Sequence, residues 1–213
     1  MTNYSQTTWE RSLTAEVPYT VQYTSASVGA LLLPDFRSHV RVDLSCEDAD
    51  LARYLNTAAR AFEEDTRRLL ITTTVKEHFD VWPWDILSVV HLHRAPVQSI
   101  TSVTYYDTDG NQQTWSSSDY NTDIINEPAR IIVADNPTLS SPNLQTDLPN
   151  SATIEYVAGF GSDIEDIPPE VVNAIFMKAS YLYGCGRELM FTVDESALER
   201  CWQNVIRSQV WSL

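Results

Sequence analysis

A chain of 213 residues with 29 acidic and 14 basic side chains has a formal charge of −15 at pH 7, the wrong sign for a surface that grips phosphate. The length suffices for one good core, or for a core with an inserted subdomain and arms. Three cysteines (Cys46, Cys185, Cys201), odd in number and far apart, suit reduced thiols in a cytosol and imply no disulfide framework.

In chain order, residues 1–34 are rich in Thr, Ser and Tyr, lack a periodic apolar face, and read as an N-terminal arm. The apolar run from Val28 to Leu33 is interrupted by Gly29 and stopped by Pro34, and Met1 is not followed by a basic region. No membrane span and no signal peptide are therefore expected. From Asp48 to Leu70 apolar residues recur at helical spacing (Leu51, Leu55, Ala58 or Ala59, Phe62, Leu69), with a capping-box-like start at Ser45 and Asp48. Arg53, Arg60, Glu63, Glu64, Arg67 and Arg68 fall on the outer face of that helix.

Between Ile71 and Phe160 the period changes to two, which predicts strands at 72–81, 89–92, 99–106, 112–116, 129–133 and 153–157. The stretch from Asn136 to Asn150, with three prolines, reads as a loop. Pro168 and Pro169 then open a helix over 169–183 through Val172, Ile175, Phe176, Ala179, Leu182 and Tyr183, with Gly184 and Gly186 near its end. A third helical pattern spans Asp194 to Trp211. Its stripe of Leu198, Cys201, Trp202, Val205, Ile206 and Val210 has either a partner inside the fold or an external one.

His91, His93 and the D-T-D-G-N run after them invite a metal reading. A calcium loop needs oxygen ligands at positions 1, 3 and 5, glycine at 6 and glutamate at 12. Counting from Asp107, Gly110 falls at position 4 and Ser118 at position 12, while Ile100, Val103, Tyr105 and Trp115 on the flanks favour strands. A hairpin turn is expected. His91 and His93 lack the further ligands zinc needs and read as half-buried strand residues. No catalytic motif is present: Cys185, between two glycines, reads as a helix end, and no histidine follows His93. No cofactor and no metal are called for.

Eleven acids and one base, Arg130, lie between Asp107 and Asp166. Such a segment is either an ordinary solvated face or a surface that sits close to DNA without sticking to it.

The phrases F-R-S-H-V-R-V-D (36–43), E-D-A-D-L-A-R-Y-L-N-T-A-A-R-A-F-E-E-D-T-R-R-L-L (47–70), R-A-P-V-Q-S-I-T-S-V-T-Y-Y-D-T-D-G (94–110), Y-V-A-G-F-G (156–161) and I-P-P-E-V-V-N-A-I (167–175) are informative in their order. Together they resemble the head-tail connector (adaptor) proteins of tailed bacteriophages, across roughly residues 36–188. The resemblance implies an α+β fold: a small helical bundle with an inserted antiparallel β module of hairpins and terminal arms, the core spanning 35–186. It implies a non-enzymatic virion protein at the head-tail junction, held in the host cytoplasm before assembly. About a dozen copies would form a ring. That ring would sit under the portal protein, extend the channel through which double-stranded DNA passes without specific binding, and offer a surface to the next neck or tail protein. The expected portal-docking segment is 187–213, through Arg187, Leu198, Trp202, Val205, Ile206, Arg207 and Trp211. The expected channel or ring acids are Asp107, Asp109, Asp119, Asp123, Asp163, Glu165 and Asp166. A rival reading is a soluble acidic binding protein, such as a DNA-mimic inhibitor, working as monomer or dimer. An enzyme whose site forms only between subunits is a third.

Overall fold

The computed structural model describes residues 19–23, 28–42, 45–82, 89–134, 142–145, 147–186 and 195–210. The fold is α+β, with four α-helices and two antiparallel sheets among the described residues. The first helix, α1 (Val28–Val40), and the long α2 (Asp48–Thr66) are joined by α3 (Pro169–Gly186) and α4 (Glu195–Gln209) into a bundle. Strands β1 (Tyr19–Tyr23), β2 (Thr73–Phe79), β8 (Ala152–Ala158), β4 (Val97–Tyr106) and β5 (Gln112–Thr114) form a five-stranded sheet in the order β1-β2-β8-β4-β5. Strands β3 (Val89–His91), β7 (Arg130–Val133) and β6 (Tyr120–Asp123) form the second sheet in the order β3-β7-β6.

The bundle core follows from the α2 stripe. Leu51, Leu55, Ala58, Ala59 and Phe62 are buried against Val28, Leu32 and Phe36 of α1 and Val171, Ala174, Ile175, Phe176 and Ala179 of α3. Each fully buried Leu or Phe contributes roughly 1.5–3 kcal/mol relative to exposure. The helix stops at Thr66, four residues before the apolar pattern does: the Thr66 hydroxyl donates to the Phe62 carbonyl (2.7 Å), and Arg67 turns left-handed at φ 59°. No capping box forms at its start, where Glu47 makes no side-chain cap.

Within the expected arm, β1 and the start of α1 are ordered elements, a correction for those residues; 1–18 and 24–27 lie outside the described residues. Val28, Leu32 and Phe36 recur every four residues and are buried, so they lay α1 into the bundle, and Pro34 sits inside that helix instead of ending it. Gly29 is what allows the approach: a Cβ there would lie 2.7 Å from the Ala52 carbonyl oxygen, and its N–H donates to Asn56 Oδ1 (2.8 Å). β1 lies on the outer edge of the large sheet, paired with β2 from Tyr19↔Phe79 to Tyr23↔Val75.

The six predicted strands are all present, with ends shifted by a few residues, and β1 and β6 are additional. Alternation is clearest in β8, where Ala152, Ile154, Tyr156 and Ala158 face the core. The D-T-D-G-N run is the turn between β4 and β5: Gly110 takes φ 82° and Asp107 Oδ1 accepts the Asp109 (3.0 Å) and Asn111 (2.9 Å) amides.

Candidate functional site

Three of the phrases that carried the family resemblance, those at 47–70, 94–110 and 156–161, meet in space. The end of α2 and the strand starts meet through backbone bonds: Leu69 N to Ala95 O (2.8 Å), Ala95 N to Arg67 O (3.2 Å), Gly159 N to Pro96 O (2.9 Å), Phe160 N to Leu69 O (3.2 Å) and Thr72 N to Gly161 O (2.8 Å). Gly159, at φ 137°, passes so close to Ile71 that a Cβ would lie 2.5 Å from its carbonyl carbon. These residues weld bundle to sheet.

Beside that weld lies a buried polar network the sequence reading missed. Glu77 is fully buried between Val75 and Phe79. Its carboxylate accepts the His93 amide (3.0 Å) and the Tyr156 hydroxyl, and its other oxygen lies 2.9 Å from His93 Nδ1. The Tyr156 oxygen also accepts the Arg94 amide (3.2 Å), and Arg94 reaches the Glu63 carbonyl (3.0 Å). Burial and the neighbouring Glu77 carboxylate push the Tyr156 phenol far above its ordinary range. Burial also raises the Glu63 carboxyl, whose Oε1 accepts the Leu70 amide (3.1 Å). Tyr19 of β1 stacks on His93 (3.7 Å between ring centroids), and Arg94 lies over the Tyr23 ring (5.2 Å). Period-two alternation offered the signal, since Glu77 falls on the inward face with Val75 and Phe79. With no exposed surface, Glu77 can order a core but cannot meet a substrate.

The seven acids singled out as a channel or ring surface are not one patch. Asp107 and Asp109 sit in the β4–β5 turn, beyond Tyr105, which pairs with Ala152 at the start of β8. Asp163, Glu165 and Asp166 follow the far end of that seven-residue strand, about 20 Å away at about 3.3 Å per residue. Asp119 and Asp123 belong to the second sheet, just before and at the end of β6. Several serve the backbone. Asp163 and Asp166 form a reciprocal capping box, and Asp166 also accepts the Ser162 amide (3.0 Å). Asp107 is held below the usual carboxylate range first by the Gln113 side chain. Asp123 is pushed down to about 2 by the Asn126 side chain and amide, and by Arg130.

Most of the apolar stripe of the C-terminal segment is taken up within the subunit. Leu198, Trp202 and Ile206 are buried, Trp202 meets Phe62 edge-on (6.3 Å), and its indole N–H donates to Asp65 (3.1 Å). Val205 packs partly against the same core, while Arg207 is exposed; Arg187 and Trp211 lie outside the described residues.

Among the described residues, two apolar features that face outward stand out. The β6–β7 turn presents Ile125, 92% exposed, beside Ile124. It is fixed from below: Asp123 accepts the Ile125 (3.3 Å) and Asn126 (3.2 Å) amides and Arg130 Nε (2.9 Å). Glu127 takes a two-pronged bond from Arg68, whose Nε donates to the Gln209 carbonyl (2.6 Å) at the end of α4. The second feature is a groove between α3 and α4, walled by Ala174, Met177, Leu198, Cys201, Trp202 and Val205, with Glu170 and Asn173 also lining it. Among the described residues no cluster of three metal-ligating side chains occurs, and no helix is long and apolar enough to cross a membrane.

No family model and no curated protein sequence matches the chain. Solved structures do. A chain in the neck of an empty gene transfer agent particle computed with C6 symmetry superposes with a TM-score of 0.72 at 24% identity, over 91% of this chain and 96% of that one. One in the virion of the native gene transfer agent particle gives 0.70 at 23%, over 91% and 97%. One in the native neck computed with C12 symmetry gives 0.68 at 22%, over 91% and 97%. This chain therefore has, nearly end to end, the fold of chains found in those particles, in accord with the connector resemblance in its sequence phrases.

Proposed function

We propose that this protein is a structural, non-enzymatic component of the neck of a tailed phage-like particle, acting as a connector beneath the portal. The observation that carries the reading is the shared fold over nine-tenths of both chains with neck and virion structures. The C6 and C12 symmetry of the similar necks supports a ring of identical subunits. A rigid weld between bundle and sheet, with its polar groups sealed inside, suits a subunit that keeps its shape under load. The charge of −15 suits a ring lining a channel for double-stranded DNA, because like charge discourages adhesion.

In this reading the connector core spans residues 35–186, extended by β1 and the first turns of α1, and the portal docks on the C-terminal segment, residues 187–213. Since Leu198, Trp202 and Ile206 face inward, docking falls to Arg207 and to residues beyond α4, including Trp211. The opposite rim serves the next neck or tail protein. Sedimentation of the purified protein with and without its portal tests the reading: a ring-sized species, alone or on the portal, supports it. A monomer or dimer under both conditions contradicts it and returns the acidic binding protein to first place.

A further inference from the structure

A closed ring of identical subunits is built head to tail, so each subunit must carry two different, mutually complementary patches. With every copy at −15, an apolar anchor has to overcome general repulsion. Large exposed hydrophobic residues are few among those described: Ile125 at 92%, Val81 at 49%, Val210 at 45%, and Ile124 and Met177 at 39% each. Apart from Val81 they fall into two groups. Ile124 and Ile125 form a tip, and Arg68, bonded to both Glu127 and the Gln209 carbonyl, ties that tip to the end of α4 beside Val210. Met177 belongs to the α3–α4 groove.

We propose that the Ile125 tip of one copy seats in the α3–α4 groove of the next copy, making the repeating contact of the ring. Shape agrees: the groove offers about 240 Å³, and dry cavities of about 150 Å³ lined by Leu, Ile and Phe hold a benzene ring. Charge agrees as well. The two acids flanking the tip are paired at home, Asp123 with Arg130 and Glu127 with Arg68, so the tip approaches an acidic neighbour with its nearest carboxylates neutralised. Rigidity completes the case, because the Asp123 cage orders the turn in advance and little conformational freedom is left to lose on docking.

The contact rests on the ring reading above, and a cross-link separates the two. Cys201 lines the groove and is exposed, so it serves as a native reporter. In a chain carrying Ile125→Cys, Cys46→Ser and Cys185→Ser, assembled rings are oxidised or treated with a short bismaleimide and run on a denaturing gel. A ladder of multimers that disappears on adding Cys201→Ser is expected. Ile125→Asp, at an exposed tip, is expected to leave the melting temperature unchanged and to reduce ring assembly at least tenfold. Rings visible by electron microscopy that give no ladder with either reagent, or that survive Ile125→Asp intact, overturn the contact while leaving the ring reading standing. Failure of the unsubstituted chain to form any ring, alone or on its portal, overturns both.

Discussion

At the scale of single residues, two carboxylates are displaced in opposite directions, and their pH signatures are opposite. Asp123 is held at about 2 against an ordinary 3.8, so its contribution to the tip is present above the ordinary value and is lost as pH falls through about 2. Amide resonances of Ile125 and Asn126 should therefore titrate with a midpoint near about 2; a midpoint near 3.8 would show that the cage does not form. Glu63 is raised above its ordinary 4.5 by burial, so it favours the fold below that value and opposes it as pH rises through the raised one. Glu63→Gln keeps an acceptor for the Leu70 amide and removes the buried charge. It should stabilise the protein at pH 7 by up to about 1 kcal/mol, with the gain vanishing toward pH 4. The Tyr156 hydroxyl joins Glu77 to the Arg94 amide, so Tyr156→Phe leaves that amide without its acceptor and the buried Glu77 oxygen with the His93 amide as its remaining donor. A loss of about 1–3 kcal/mol in denaturant unfolding is expected.

At the scale of elements, α4 has moved from a candidate external arm to a member of the bundle. Phe62 and Trp202 meet edge-on, so Phe62→Ala and Trp202→Ala should each cost about 3–5 kcal/mol. Their double mutant should fall short of the sum by about 0.5–3 kcal/mol, as for residues in contact. Additive losses in thermal unfolding would mean that α4 does not lie on α2. What the sequence made legible follows from periodicity. Leu51, Leu55 and Phe62 marked α2, and the alternation in β2, β4 and β8 marked the sheet. The elements that were missed broke a local rule that tertiary contact overrode. Pro34 reads as a stop, yet Val28, Leu32 and Phe36 bury α1 around it. Tyr120 to Asp123 has a single buried residue and gains its strand from pairing with β7. The end of α2 carries no glycine, because Arg67 takes the left-handed turn itself.

At the scale of the whole molecule, the order of phrases predicted the architecture better than the charge count predicted a surface. Phrases such as R-A-P-V and Y-V-A-G-F-G meet at the weld between bundle and sheet, where geometry allows little substitution. The described acids between Asp107 and Asp166 are spread over both ends of the large sheet and the edge of the small one, and several close turns. Sequence distance gave no warning, because antiparallel strands carry neighbours in sequence to opposite rims. In the proposed reading, removing Trp211 to Leu213 leaves the melting temperature within about 2 °C while abolishing attachment to portal-bearing heads. Removing everything after Val193 should instead unfold the subunit, since it strips Trp202 and Ile206 from the core. The central claim is that this chain is a ring-forming neck protein, and a cryo-electron microscopy reconstruction of the particle neck tests it most directly. Density for the four-helix, two-sheet subunit, repeated around the DNA channel directly below the portal, is expected. A neck whose rings are built entirely of other chains, with this protein absent from the particle, would contradict it.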